Sequence, residues 1–466
     1  LTTCINNLHY EKFQDGTVKC IEDEIPFEVP EGWAWCKLND IYNFIDYRGA
    51  TPTKITNGIP LVTAKNVKSG YIDYTIDDYI SEEEFKERQQ RGISKKGDIL
   101  FTTEAPLGNA ALADMEKFSA GQRLITFQQY GSKDELINYV MLMFILSDFF
   151  QQQLYVNKTG STVAGIKAAI LKTLWIPVPP YNEQLRISNT LKSAINLIDS
   201  ISKNKEILST SISNTKSKIL DLAIRGKIVP QDPNDEPASV LLERIRAEKE
   251  ELIKQGKIKR DKKESVIFKG DDNSYYLRTG GVEESLEDWR FDDLPETWKI
   301  CCLWELCDYG DCINVNTEDI AEDAWILDLE DIEKDTGTVL KKVTKAQRNS
   351  VSTKHKFHSG QVLYSKLRPY LNKVVLSDAD GYCTSEILPL EFKNCVLPEY
   401  ARYYLMSGTF IAYANHCSYG VKMPRLGTTD GKKAIFSLPP LSEQKRIVET
   451  IDFCFMQLNK ISEALA

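Results

Sequence analysis

The chain has 466 residues, of which 42% are hydrophobic and 27% charged, and its formal net charge is −9. That length predicts two or three domains with cores of their own. The mean hydropathy is −0.33, and the longest apolar run, residues 140–146, is far below the ~20 residues of a membrane-spanning helix, which excludes a membrane protein. The odd number of cysteines, 11, is typical of reduced thiols in a cytoplasm rather than of a disulfide framework.

One sequence pattern occurs twice in the chain. Residues 179–187 and 439–447 both read P-P-x-x-E-Q-x-R-I. Upstream, residues 30–33 match residues 295–298 through a shared P-E-x-W, and residues 97–101 match residues 360–364. Three pairs of matching segments occur in the same order, and the members of each pair are about 260–265 residues apart. This pattern predicts a duplicated domain with loop insertions.

Each copy is predicted to be a mixed α+β globule. Short β-branched and aromatic runs between turn residues predict strands at 59–64, 99–103, 124–129 and 174–178, and at 324–329, 362–365, 373–376 and 434–438. Apolar residues at helical spacing predict helices over 135–155 and 398–415. The predicted order is an N-terminal segment (1–30), a first domain (31–182), a long helix (183–226), a linker with a second helix at about 237–256 (227–294), a second domain (295–442) and the start of a second long helix (443–466).

A seam of apolar residues in 4-3 spacing follows each copy. Its members after copy one are Ile187, Leu191, Ile198, Ile201, Leu208, Ile212 and Ile219, and after copy two Ile447, Ile451, Leu458 and Ile461. Such a heptad seam requires a partner helix at a shallow crossing angle. With Asn182 as the N-cap and Gly226 and Pro230 at the end, the first helix has about 43 residues and a length of roughly 64 Å.

The predicted fold class is therefore α+β, with two duplicated mixed α/β domains separated by long antiparallel coiled-coil helices in a pseudo-twofold arrangement. Two similar domains on a rigid spacer suit duplex DNA, because protein symmetry maps onto half-site spacing. A dimerisation coiled coil that carries two domains for unrelated ligands fits the pattern equally well. The acidic net charge argues mildly against nucleic acid, although binding needs only a local basic face.

Several stretches resemble the specificity (S) subunit of type I restriction–modification systems. They are residues 25–33 and 97–100, the two P-P-x-x-E-Q motifs, R-G-K-I-V-P-Q-D-P at 225–233 and D-E-P-A at 235–238. The resemblance implies two target-recognition domains, each of which reads half of a split sequence in double-stranded DNA. It also implies helices that set the gap and dock two methyltransferase (M) subunits, which restriction (R) subunits then join. S-adenosylmethionine, ATP and Mg²⁺ are expected only on those partners, and the location is expected to be the cytoplasm of a bacterium or archaeon.

The sequence departs from the family pattern in two places. The second helix stops after about 24 residues, whereas the family carries a full-length one, so docking of the second methyltransferase is left open. Copy one contains R-G-A-T-P-T at 48–53, which resembles the family's Gly-x-Thr-Pro turn, but residues 313–318 of copy two lack it. The two domains are therefore expected to read different half-sites.

No catalytic or metal site is predicted. Residues 178–181 read V-P-P-Y, and a valine cannot accept the hydrogen bond that the first residue of an adenine methyltransferase motif accepts. Both proline pairs are interpreted as strand-to-helix connectors. Cys301, Cys302, Cys307 and Cys312, with His355 and His358 further on, lack C-x-x-C spacing, and buried thiols explain them better than zinc.

DNA contacts are predicted from Lys, Arg, Tyr, Asn, Ser and Thr side chains that follow strand ends. In copy one they are Arg48, Thr51, Thr53, Lys54, Lys65, Asn66, Lys68, Thr102, Thr103, Asn109, Lys158, Ser161, Thr162 and Lys167. In copy two they are Lys366, Arg368, Tyr370, Asn372, Lys373, Tyr419, Lys422 and Arg425. The alternatives are a coiled-coil scaffold with two peptide-binding domains and an enzyme that binds a methyl donor itself.

Overall fold

The computed structural model describes residues 2–5, 8–13, 15–25, 27–49, 51–75, 78–131, 136–160, 164–257, 264–272, 274–286, 294–348 and 351–465. The chain divides into two compact units, residues 1–201 and 202–466. The boundary falls within one long helix, and each unit holds one of the two sequence copies.

The first unit begins with a three-stranded antiparallel sheet, β1 (Thr2–Ile5), β2 (Leu8–Lys12) and β3 (Val18–Cys20). The domain then runs through β4 (Ala34–Lys37), α1 (Leu38–Ile41), β5 (Tyr42–Asp46), β6 (Ile59–Val62), β7 (Tyr79–Ile80), α2 (Glu82–Arg88), β8 (Ile99–Thr103), β9 (Leu107–Leu112), β10 (Ser119–Ala120), β11 (Leu124–Gln129), α3 (Asn138–Ile145), α4 (Asp148–Val156), α5 (Ala168–Leu171) and β12 (Trp175–Val178). Its central sheet has the strand order β5-β11-β8-β9, and β12 pairs with β4. The long helix α6 (Tyr181–Ala223) follows.

Helices α3 and α4 cover the central sheet of the first unit. Phe101 of β8 and Phe127 of β11 stack with ring centroids 5.3 Å apart. Met141 of α3 and Phe150 of α4 belong to the same buried cluster. The apolar faces of the two helices thus form one core with the alternating inward residues of the strands.

The second unit contains the end of α6 and then α7 (Ala238–Lys254) and a three-stranded sheet, β13 (Ser265–Lys269), β14 (Tyr275–Thr279) and β15 (Val282–Ser285). The domain comprises β16 (Lys299–Cys302), α8 (Leu303–Leu306), β17 (Ile313–Val315), β18 (Trp325–Leu327), β19 (Val343–Thr344), β20 (Lys354–Phe357), β21 (Val362–Ser365), β22 (Val374–Leu376), β23 (Gly381–Thr384), β24 (Ile387–Leu390), α9 (Pro398–Leu405), α10 (Gly408–His416), β25 (Ser418–Tyr419), β26 (Arg425–Leu426), α11 (Thr428–Lys433), β27 (Ile435–Leu438) and α12 (Leu441–Ala464). Its sheets have the orders β17-β20-β23-β18-β19, β22-β21-β24 and β16-β27.

The predicted duplication is confirmed at the level of strand pairing. In copy one β12 pairs antiparallel with β4, and in copy two β27 pairs antiparallel with β16. The central hairpin also repeats, because β8 pairs with β9 and β11 as β21 pairs with β22 and β24. The proline pairs connect β12 to α6 and β27 to α12, as the interpretation of them as connectors predicts.

The glutamine of each P-P-x-x-E-Q motif makes the same two hydrogen bonds. Gln184 Oε1 accepts from the Ile137 amide at 2.7 Å, and its Nε2 donates to the Pro179 carbonyl at 2.8 Å. Gln444 Oε1 accepts from the Leu397 amide at 2.8 Å, and its Nε2 donates to the Pro439 carbonyl at 3.1 Å. Each buried amide therefore ties the start of a long helix to the residue before α3 or α9.

We predict that Gln184→Ala and Gln444→Ala each lower the free energy of unfolding of their own unit by about 1–2 kcal/mol, because buried backbone groups lose their partners. Denaturant unfolding of the variants measures the change. Gln152→Ala, at an exposed position of α4, is the control and should change stability little. A loss no larger than that of the control would contradict a structural role for the two amides.

Three sequence predictions need correction. The N-terminal segment and the linker each contain an antiparallel sheet, β1–β3 and β13–β15, which was not predicted. The helices predicted over 135–155 and 398–415 are each two helices, because Ser147 and Ser407 break them and cap the second helix through their hydroxyls; Glu135 lies outside the described residues. Asn182 is not an N-cap, since α6 begins at Tyr181.

Helix α12 runs antiparallel to the last part of α6 within the second unit. Lys216 Nζ donates to Asn459 Oδ1 at 2.6 Å, whereas Gln231, beyond the end of α6, reaches Glu443 near the start of α12. The predicted seam is buried at Ile212, Ile447 and Ile451. Its other members are partly buried or exposed: Ile187, Leu191, Ile219 and Leu458 are half-buried, and Ile198, Ile201, Leu208 and Ile461 are exposed.

Candidate nucleic-acid interface

One edge of copy two brings together two segments that the sequence analysis singled out. We call it the copy-two edge; it consists of the turn of residues 366–370 and the β25–β26 hairpin. Leu367 forms an antiparallel bridge with Arg425. The Arg368 amide donates to the Pro424 carbonyl at 2.7 Å, and the Leu426 amide donates to the Lys366 carbonyl at 3.0 Å. Backbone pairing therefore fixes the turn against the hairpin.

Arg368 is held in an unusual backbone conformation at this edge. Its φ is +50°, in the left-handed region that non-glycine residues rarely occupy. Its Nε is buried without a hydrogen-bond partner, and among the described residues no carboxylate pairs with its guanidinium. Strained residues concentrate at binding sites, so a strained, uncompensated arginine is a strong candidate for ligand contact.

The surroundings of Arg368 have the composition of a nucleic-acid contact. Tyr370 and Tyr419 are 50% and 63% exposed. Lys366 and Lys422 form no ion pair within the described part of the chain. Cations attract phosphates, and arginine or lysine donors on a β-ribbon reach base edges in the major groove.

Three residues predicted to contact DNA in copy two form hydrogen bonds within the protein instead. Arg425 binds both oxygens of Glu386 at 2.9–3.1 Å, a hydrogen bond that raises the pKa of its guanidinium. Asn372 is buried and its amide donates to the Met406 carbonyl. Lys373 donates to the Leu329 carbonyl at 2.6 Å, and burial lowers its pKa. The structure thus buries Asn372, bonds Lys373 to a neighbouring backbone carbonyl and pairs Arg425 with a carboxylate.

Copy one repeats the geometry of this edge with different side chains. Ala105 has a φ of +45° at the position of Arg368. Glu104 bridges to Gly165, and the Ile166 amide donates to the Thr103 carbonyl at 3.0 Å. We call the turn of residues 103–107, with residues 159–160 and 164–166 that lie against it, the copy-one edge.

Sequence reasoning missed Arg123, which lies beside the copy-one edge. The Arg123 carbonyl accepts a hydrogen bond from the Thr103 amide. In copy two the Glu386 carbonyl accepts the equivalent hydrogen bond from the Lys366 amide. The Arg123 Nε lies 3.0 Å from Glu104 Oε1, and the guanidinium is about half exposed. An alignment of the two copies would have paired Arg123 with Glu386 and revealed the exchange of charge.

Three residues predicted to contact DNA in copy one have side chains that are buried and hydrogen-bonded within the protein. Asn66 accepts from the Thr63 amide and hydroxyl and donates to the Asp73 carbonyl. Thr102 and Thr103 donate to the carbonyls of Asn109 and Arg123. All three are nearly inaccessible to solvent, so they have no surface to offer to DNA.

The other predicted residues of copy one differ in how free they are. Arg48 forms an ion pair with Asp46, and the hydrogen bond between them raises the pKa of the arginine. Lys54 forms an ion pair with Asp78, with 2.6 Å between nitrogen and oxygen. Three further residues take part in hydrogen bonds: the Thr51 hydroxyl donates to Gln122, the Thr53 amide to Glu84 and the Asn109 side chain to the Val67 carbonyl. The ammonium group of Lys68 lies 4.0 Å from Asp73, and that of Lys158 lies over the ring of Tyr155. Lys65 and Lys167 are exposed. Ser161 and Thr162 lie outside the described residues.

Cys301, Cys302 and Cys307 of copy two are buried, and Cys312 is half-buried. Burial raises the pKa of Cys302 to about 12 and also raises the pKa of Cys301 and of Cys307. His355 bonds to the Ile387 carbonyl, and His358 pairs with Glu391. Across the described ranges, no group of three or more His, Cys, Asp or Glu side chains is arranged to hold a metal ion. No helix in these ranges has the length and apolarity to cross a membrane.

Comparisons with known proteins agree with the duplicated architecture. The specificity subunit of the Escherichia coli type I restriction enzyme EcoAI is 26% identical over 509 aligned positions, which cover 94% of this chain and 80% of the relative. That of the E. coli enzyme EcoEI is 24% identical, with 97% and 83% covered. The fold resembles the HsdS subunit from Thermoanaerobacter tengcongensis, with a TM-score of 0.51, 16% identity and coverage of 95% and 93%.

A second solved structure, from work on complex assembly and conformational transition of the type I R-M system, has a TM-score of 0.55 at 16% identity, with 94% of each chain covered. The model of the family described as type I restriction modification DNA specificity domain matches residues 30–209 and 295–464. Since these ranges take in both copies and the helices that begin after them, the chain belongs to the family of type I restriction–modification specificity subunits.

Proposed function

We propose that this chain is the non-catalytic subunit that selects the DNA sequence in a type I restriction–modification complex. The observation that carries the proposal is the copy-two edge, where Lys366, Arg368 and Lys422 have no carboxylate partner among the described residues. No carboxylate of the described residues neutralises these positive charges, and the phosphates of a nucleic acid would do so. Arg368 is the base-reading candidate, and the lysines are candidates for phosphate contacts.

The two copies would read different half-sites of a bipartite double-stranded target. Arg368 of the copy-two edge corresponds to Ala105 in copy one. Arg123 stands at the position of Glu386, so that an arginine pairs with Glu104 in copy one where a glutamate pairs with Arg425 in copy two. The backbone bridges and hydrogen bonds of the two edges are alike, but their side-chain donors and acceptors differ. Two domains with one scaffold and different edge chemistry suit an asymmetric DNA target.

The partners would be two methyltransferase subunits and the ATP-dependent restriction subunits. S-adenosylmethionine, ATP and Mg²⁺ would be bound by those partners, with adenine methylation and cleavage carried out there. The assembly would work in the cytoplasm of a bacterium or archaeon. Support comes from the relatives, which are specificity subunits of type I restriction enzymes.

The test is selection of bound sequences from a random duplex library by the complex with its methyltransferase subunits. We expect a split motif with a fixed gap, and methylation at an adenine in the selected site. A scaffold for peptides would select no DNA sequence, and an independent enzyme would bind the methyl donor without partners. Either result would contradict the proposal.

We predict that Lys422→Ala weakens binding of all DNA sequences alike and lowers the slope of log affinity against log salt by about one, because one phosphate contact is lost. Titrations of specific and random duplexes at several salt concentrations measure both effects. Lys299→Ala, an exposed lysine of β16 in the same domain, is the control. An unchanged salt slope for Lys422→Ala would remove this lysine from the interface.

A further inference from the structure

The tip of the β25–β26 hairpin, at the copy-two edge, carries apolar side chains. Residues 420–424 read G-V-K-M-P and connect the two strands. Val421 is fully exposed, and Met423 is 43% exposed. Single exposed apolar residues are common on protein surfaces, so the meaning of this pair depends on the shape of the turn and on its neighbours.

Contacts within the hairpin fix the shape of its tip. Gly420 has a φ of +100°, and a side-chain carbon there would lie 3.1 Å from the Met423 carbonyl oxygen. Arg425 donates to the same carbonyl at 3.3 Å while its guanidinium pairs with Glu386. Pro424 adds a fixed φ. The two apolar side chains therefore project from a turn whose backbone is already ordered, and contact with a ligand would cost little backbone entropy.

The tip lies next to the arginine that we propose reads a base. The Pro424 carbonyl accepts the Arg368 amide at 2.7 Å. Val421 precedes Pro424 by three residues, so their α-carbons are at most about 11 Å apart. That distance equals roughly three base pairs of duplex DNA at about 3.4 Å each. Lys422, between the two apolar residues, forms no ion pair with any residue that the structure describes.

The combination of apolar and cationic groups restricts the ligand of this tip. Cations without a carboxylate partner favour a polyanion over an apolar protein surface. In the major groove of DNA, base edges present hydrogen-bonding groups and one apolar group, the C5-methyl of thymine. That methyl group is the part of a half-site that a valine can recognise.

We propose that Val421, with Met423 beside it in the turn, contacts the C5-methyl group of a thymine in the half-site that copy two reads. The inference rests on the proposed function and adds to it the identity of one base pair, an A·T pair. This pair lies within about three base pairs of the one that Arg368 reads. Arg368 supplies hydrogen-bond donors, and the hairpin tip supplies the apolar contact.

The test removes the methyl group from the DNA and part of the side chain from the protein. The complex with its methyltransferase subunits is titrated with its selected duplex, in which each thymine of the half-site is replaced in turn by deoxyuridine. We expect one replacement to weaken binding about 3- to 10-fold, the effect of losing one buried methyl contact. Val421→Ala should weaken binding of the thymine duplex by a similar factor and make that replacement neutral, because both changes remove one contact.

Val282→Ala, at a 63% exposed position of β15, is the matched control and should retain the full effect of deoxyuridine. Thermal unfolding of Val421→Ala should match that of the parent, since the side chain is fully exposed.

Three results would overturn the inference while leaving the recognition function intact. They are a half-site in which no thymine can be replaced with loss of affinity, a deoxyuridine effect of equal size in the parent and in Val421→Ala, and a Val421→Ala complex that loses its methyltransferase subunits in sedimentation. The last result would show that a protein partner contacts the tip. A complex that selects no DNA sequence would instead contradict the proposed function itself, and this inference with it.

Discussion

Replacing Arg368 with alanine is expected to abolish discrimination at one base pair of the half-site that copy two reads. A bidentate arginine–guanine contact contributes about 1–3 kcal/mol of discrimination, or roughly 5- to 150-fold in affinity. The effect should be confined to one half of the target, because copy one carries Ala105 at the equivalent position. Affinity for random DNA should fall far less, since phosphate contacts remain.

The reason to expect a large effect is that the fold already fixes the backbone of Arg368. The Pro424 carbonyl accepts its amide, and Pro369 follows it in the turn. The backbone of Arg368 already has its strained φ of +50° in the folded protein without DNA. The entropy lost by ordering this residue on binding should therefore be small. A lysine on a flexible stem would not reproduce the two parallel donors.

The measurement is selection of bound duplexes by the complex that carries Arg368→Ala, compared with the parent. Arg244→Ala, an exposed arginine of α7 paired with Glu236, is the matched control for loss of one positive charge. Relaxed preference at a single position of one half-site is the expected result. An unchanged motif with unchanged affinity would show that Arg368 does not read a base.

Local sequence patterns were sufficient to predict the duplicated core. Strands β8, β11 and β21 have the predicted bounds, because runs such as Ile99–Thr103 combine β-branched residues with flanking turns. The two small sheets β1–β3 and β13–β15 were missed, since their strands are short and rich in polar residues. Ser147 and Ser407 interrupt runs that read as continuous helices, and a serine N-cap inside an apolar run gives a weak signal.

The candidate site was predicted less completely because burial and pairing depend on distant residues. Thr102 and Thr103 at the end of β8 look like exposed hydroxyls, yet their hydroxyls donate to Asn109 of β9 and to Arg123, just before β11. Arg425 and Glu386 are far apart in sequence and meet only in the fold. Composition identifies donors, but only tertiary contacts determine which of them remain free for a ligand.

The heptad seam shows the same limit in another form. Its 4-3 spacing predicted a long helix, and α6 has 43 residues. The spacing also predicted a partner along the whole seam, whereas Ile198 and Ile201 are exposed. The spacing of apolar residues predicts that one face of a helix packs against another element, but it does not identify that element.

Insertion of seven residues into α6, as a duplication of residues 201–207, is expected to change the DNA target more than any point substitution. The insertion preserves the seam, because Leu208 stays in register with Ile201. It lengthens the helix by about 10 Å and rotates its end by roughly 20°. At about 3.4 Å per base pair, the preferred gap between half-sites should grow by about three base pairs. Affinity for the original target should fall toward the non-specific level, about 10³-fold or more.

Sequence selection by the complex with the lengthened helix measures the new gap directly. A control insertion of the same length with two glycines should give no new fixed gap, because glycine lowers helix stability and removes the rigid connection. The half-site bases should remain the same in both variants, since neither touches the copy-one or copy-two edge. An unchanged gap in the duplicated variant would mean that α6 does not set the distance between half-sites, and that the partner subunits do so instead.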